Sequence, residues 1–99
     1  MRDIRFVVVH KPGPAWKPGV PVFEQPGLQQ HVDHYRQALD AGNLALGGPF
    51  LDAAGGGMMI GAQGSTEAEL TELAASDPTV QSGLLTYEVG QWLVGMRQP

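Results

Sequence analysis

Three histidines, ten acidic side chains and no cysteine bound the chemistry open to this chain. Thiolate nucleophiles, disulfides and cysteine-held metals are excluded. Histidine is the side chain that titrates nearest neutrality. Two of the three, His31 and His34, fall in one stretch, Gln30 to Leu51, which reads as helix, glycine stop, short strand and Gly-Pro turn. Three residues apart on a helix, they can face one cation. No nearby glutamate or third histidine completes that ligand set and Asp33 points away from the pair, so no metal is expected. His31 borders an apolar stripe one turn before Tyr35 and suits a half-buried pocket. His34 turns further towards solvent. By itself His31 is either a satisfied boundary residue or an acid–base group. Asp77 precedes Pro78, which fits a helix N-cap with proline at N1 and needs no function. Its other role would be to orient an imidazole. The run Gly55-Gly56-Gly57 lacks the Lys and Ser/Thr of a phosphate loop and leads into a strand, so it predicts a hairpin turn.

The elements that must position these groups are legible in turn. Ile4 to His10 predicts the first strand, with Phe6 and Val8 on one face and Val7 and Val9 on the other. Both faces are apolar, so both expect cover, and two helices can cover only one. That mismatch argues for a dimer. Lys11 to Pro26 holds five prolines, which forbid a helix and disfavour a paired strand. It carries Trp16 and Phe23 and reads either as an arm packed on the body or a partner, or as a lid over a site. A helix follows from about Gly27 to Ala41. Leu28, Val32, Tyr35 and Leu39 form its apolar stripe, and Arg36 is within reach of Asp33 and Asp40. Gly42 stops it. Asn43 to Gly47 predicts the second strand, Gly48-Pro49 its end, and Met58 to Gly61 the third. Thr66-Glu67-Ala68-Glu69 fits a capping box, opening a helix that buries Leu70, Leu73 and Ala74 and ends near Ser76. Asp77-Pro78 begins a turn of helix or a loop, and Leu84 to Val94 is the last strand, with Gly90 a candidate bulge.

The order β-α-β-β-α-β predicts an α+β, ferredoxin-like domain: a four-stranded antiparallel sheet with two helices on one face. Its 99 residues suit one domain, 1–99, with 11–26 as the proline-rich arm or lid. An apolar content of 42% is that of a globular chain, and a net charge of −4 without a basic cluster argues against nucleic acid. No apolar run can span a bilayer, and the opening residues show no signal-peptide pattern, so a cytoplasmic protein is expected.

With those residues placed, the chain resembles the YciI-like (YCII-related) family. The carrying pieces are His31 eleven residues before Gly42, the run Gly42-Asn43-Leu44-Ala45-Leu46-Gly47-Gly48-Pro49-Phe50, Asp52 and the glycines before Met58. Asp77-Pro78, Gly83, Tyr87-Glu88-Val89 and Trp92 complete the pattern. The resemblance implies a ferredoxin-like fold that dimerises through its sheets into an α+β barrel. It implies a His31–Asp77 pair in a cleft, with His31 as acid or base and Asp77 fixing its tautomer. A relative is known as a dehydrochlorinase of chlorinated hydroxyquinol-type aromatics, so proton abstraction or elimination on a small organic substrate is the implied chemistry, without a cofactor. The expected pocket lies between the first helix and the sheet, lined by Tyr35, Gly48, Pro49, Phe50 and Trp16. The alternative is a non-catalytic dimeric module binding a small ligand or a partner.

Overall fold

The computed structural model describes residues 2–99. Four strands and three helices follow one another as β1 (Ile4–Pro12), α1 (Leu28–Asp40), β2 (Leu44–Pro49), β3 (Gly57–Gly61), α2 (Glu67–Ala75), α3 (Pro78–Gln81) and β4 (Leu85–Leu93). The sheet order is β2-β3-β1-β4 with every neighbour antiparallel. This α+β arrangement is consistent with a ferredoxin-like fold. None of the helices among the described residues is long and apolar enough to cross a membrane.

Local signals set most boundaries. The capping box opens α2, with the Thr66 hydroxyl accepting from the Glu69 amide and the Glu69 carboxylate accepting from the Thr66 amide. Gly42, at φ +84°, lets the chain leave α1 while the Asn43 amide donates back to the Ala38 carbonyl. Two strand ends and one candidate bulge differ from expectation. β1 continues to Pro12, whose missing N–H is tolerated at a strand end, opposite Leu85. β2 runs through Gly48 and Pro49, because it is an edge strand with one side unpaired. Gly90 forms no bulge and lies in regular register opposite Val7.

The core lies between the helices and one face of the sheet. Val8, Met59, Leu70, Ala74, Tyr35, Ala38 and Leu44 are buried together, with Phe6, Leu73, Tyr87 and Val89 packed against them. The α2 stripe is as its periodicity predicts. The α1 stripe is not. The buried residues of α1 are His31, Tyr35 and Ala38, while Leu39 is 41% exposed. The helix is rotated so that Leu28, Val32 and Leu39 line a cavity instead of the core. Apolar periodicity reports that a face leaves water, not which of two apolar surroundings it enters.

The proline-rich connection packs on the body and ends in a 3₁₀ turn at Val22–Glu24. The Gly13 amide donates to the Leu84 carbonyl and the Ala15 amide to that of Gly83. Further on, the buried Gln25 side chain holds the loop by three hydrogen bonds. Its Oε1 accepts from the Lys17 amide at 3.0 Å, and its Nε2 donates to the Lys17 and Val20 carbonyls, both at 2.8 Å. Five prolines leave few backbone donors, so a side-chain amide supplies the bonds that a strand partner would.

Candidate acid–base site

Each titratable group of the site sits where an element delivers it. His31 projects from the buried face of α1, one turn before Tyr35. His10 faces inward from β1, two residues beyond Val8, and is 1% exposed. Asp77 is the N-cap of α3 and is fully buried. His31 Nδ1 donates to Asp77 Oδ2 at 2.5 Å. The other carboxylate oxygen, Oδ1, accepts from the Thr79 amide at 2.9 Å and from its hydroxyl at 2.8 Å. The two roles open to Asp77 in the sequence are therefore filled together, one by each oxygen: it caps a helix and orients an imidazole.

A second pair stands beside the first. The Thr86 carbonyl only accepts, so His10 Nδ1 carries the proton and donates to it at 3.0 Å. His10 Nε2 is then an acceptor and takes the Tyr35 hydroxyl proton at 2.7 Å. The rings of His10, His31 and Tyr35 pack edge to face, with centroids 5.1–5.5 Å apart. His10 was not singled out in the sequence. The available signal was alternation, since Phe6, Val8 and His10 share the face that meets the helices. His34 plays a different part. Its Nε2 donates to the Leu73 carbonyl at 2.6 Å, which ties α1 to α2.

The electrostatics follow from burial and partners. Burial raises the Asp77 carboxyl, but the hydrogen bond and charge of His31 and the two Thr79 donors outweigh it, and its pKa falls below the usual 3.8. Burial lowers the His10 imidazole below the usual 6.5; the bond to Thr86 opposes this, and the nearby His31 reinforces it. Burial, aided by Asp77, raises the Tyr35 phenol, so it stays a neutral donor. A histidine with a folded pKa below its unfolded value stabilises above about 6.5, and that contribution is lost as pH falls through the folded value. We therefore expect the His10 ring to titrate by NMR with a midpoint below 6.5, with stability declining as it protonates. A midpoint above 6.5 would overturn the hydrogen-bond assignment at Nε2.

These groups open on a cavity of about 480 Å³. Tyr35, Gly48, Pro49 and Trp16 are in its wall, and Phe50 is not. Phe50 is spent on the hairpin instead, where its amide donates to the Gly56 carbonyl at 2.9 Å. Trp16 reaches the wall by lying against Gly55, where an added Cβ would sit 2.9 Å from its Cζ2. The wall is mostly apolar. His31 lines it, and among the described residues His31 Nε2 has no protein partner. With Nδ1 protonated on Asp77, the Nε2 lone pair of the neutral ring is available to a bound molecule.

One donor set could meet a cation, namely His10, His31 and Asp77, whose ligand atoms lie within 4.8 Å of one another. The pair weighed in the sequence, His31 with His34, is not it, because His34 is directed at Leu73. Each donor in the set already has a partner: Asp77 for His31 and the Tyr35 hydroxyl for His10. A divalent ion between them would have to take the His31 Nδ1 proton and turn the Tyr35 hydroxyl away from His10, so the arrangement reads as a proton network.

Neither a curated protein nor a solved structure matches the chain. A family model does: it runs from the first residue of β1 to the last of β4, residues 4–93, and through it the chain belongs to the YCII-related domain family.

Proposed function

We propose that this protein is an acid–base enzyme that removes a proton from a small, largely apolar organic substrate, with His31 Nε2 as the base. The observation that carries the reading is the 2.5 Å His31–Asp77 bond at the wall of an apolar cavity. Asp77 holds the Nδ1–H tautomer, so that Nε2 points its lone pair at the substrate. When Nε2 takes the proton, the buried Asp77 anion lies against the new imidazolium and lowers its energy. The electron pair of the broken C–H bond either stays on a conjugated substrate or forms a double bond as a leaving group departs with its own pair. His10 and Tyr35 pack edge to face on the His31 ring and brace it.

The test needs no knowledge of the natural substrate. A panel of small hydroxyaromatic and carbonyl carbon acids is incubated with the protein in D₂O and followed by proton NMR. Protein-dependent loss of a C–H signal is expected for at least one compound. Binding of panel members without exchange in any would overturn the enzyme reading and leave a small-ligand binding module.

We further infer a homodimer through the open face of the sheet. Val7, Val9, Met58, Gly90 and Trp92 form a largely apolar groove there, with Glu88 beside Val9, and Trp92 is 44% exposed. Helices cover only the opposite face, and an uncovered apolar sheet face is costly in water. Sedimentation at micromolar concentration is expected to give the mass of two chains; a stable monomer would remove the inference.

A further inference from the structure

Arg36 is the one arginine lining the cavity, and it is exposed at its edge. Its own helix offers it two carboxylates, Asp33 three residues before and Asp40 four residues after, both at spacings that pair on a helix surface. It takes neither. Asp33 instead accepts from the Gln29 amide nitrogen at 2.8 Å. No ion pair or side-chain hydrogen bond of Arg36 occurs among the described residues. The guanidinium thus has donors to spare at a largely apolar cavity, beside Val32 and Leu39. A planar fork of this kind matches a carboxylate or another acidic oxygen pair.

The same helix carries His31 five residues earlier, about 7.5 Å along its axis and roughly 140° around it, so a molecule reaching both must curve along the helix flank. Both line one cavity, whose mostly apolar wall also holds Val32, Leu46 and Trp16. The net charge of −4 opposes anion binding; charges more than about 8 Å away are screened at physiological salt, so the opposition comes mainly from Asp33 and Asp40, within about one turn of Arg36.

Resting on the acid–base reading above, we infer that the substrate is a largely apolar molecule bearing one acidic group. Its anion pairs with Arg36 while the proton to be removed faces His31 Nε2. Arg36 is then a specificity determinant: it holds one end of the substrate and takes no part in the proton transfer.

The probes are 2-naphthoate and its neutral isostere 2-naphthamide, titrated calorimetrically into wild type, Arg36→Gln and Arg36→Lys, with the His31 ring followed by NMR. Wild type is expected to prefer the acid by about tenfold, the size of a charge-assisted bond at a partly exposed site. Arg36→Gln should lose that preference without weakening the amide, and Arg36→Lys should keep part of it, because lysine retains the charge but not the fork. Both probes should shift the His31 ring signals. Equal affinity for acid and amide in wild type, an undiminished preference in Arg36→Gln, an unmoved His31 ring, or no binding of either probe would each overturn the inference. Arg36 is exposed and unpaired, so its variants remain folded. The measurement involves no proton transfer. Acid preference without any C–H exchange would therefore sink the acid–base reading alone, and exchange without acid preference would sink this inference alone.

Discussion

His31→Gln is expected to abolish protein-dependent C–H exchange, a loss of about 10²–10⁴-fold, the usual contribution of a positioned general base. Glutamine keeps an N–H that can reach Asp77 but has no basic nitrogen to offer the cavity. Asp77→Asn is expected to lower exchange within the same range for a different reason. An amide can donate to His31 Nδ1, which would place the ring proton on Nε2 and remove the lone pair from the cavity. Asparagine is as good a helix cap as aspartate, so α3 should survive and the loss should lie in rate. Urea unfolding of both variants separates the two effects. A folded Asp77→Asn protein that exchanges at the wild-type rate would reduce Asp77 to a cap. Asp77 also sets a pH limit. Its folded pKa is below 3.8, so its stabilising contribution is complete above that value and lost only as pH falls through the lower folded value. A decline in exchange above pH 4 would therefore not come from protonation of Asp77.

Gly56→Ala is expected to be the most damaging single methyl in the molecule. Gly56 closes the β2–β3 hairpin at φ +82°, where an L side chain is strained. Its Cβ would also lie 2.2 Å from the His10 carbonyl oxygen and 3.1 Å from Lys11 Cα, both backbone atoms that cannot swing aside. Left-handed strain of about 1–3 kcal/mol and a similar overpacking term put the total at roughly 3–5 kcal/mol. In a domain of this size that corresponds to a fall in Tm of about 15 °C or more. Gly64→Ala is the control, with φ +88° but nothing within 4 Å of the added carbon, so it carries the backbone term alone. If the two variants melt within about 4 °C of each other, the clash with β1 contributes less than about 1 kcal/mol and the account fails. The change would also displace the strand that holds His10, coupling the hairpin to the site.

That role for Gly56 shows where local reading ends. The triple glycine is recognisable as a turn from its composition. That its second member must touch the carbonyl of His10 is not, because β1 lies more than forty residues away and reaches the turn only through the β1–β3 ladder. The same division runs through the site. Asp77 could be recognised as a cap, since Asp-Pro acts on the next three residues, and its meeting with His31 entered only as an implication of family likeness. No rule of spacing joins a residue on α1 to the start of α3.

What the sequence determined by itself is the succession of elements and their ends. Periodicity marks α1, α2 and the strands, the Thr66 box opens α2, Gly42 stops α1, and all of these act within one or two turns of chain. The tertiary structure alone decided the rotation of α1, which buries His31 and Tyr35 and leaves Val32, Arg36 and Leu39 along the cavity. It alone drew His10 from β1 to Tyr35. The physical reason is the range of the forces involved. Caps and periodicity are settled by neighbours in the chain, whereas the orientation of a helix, and with it the partner of every side chain on its border, is settled by how its whole face packs against the sheet.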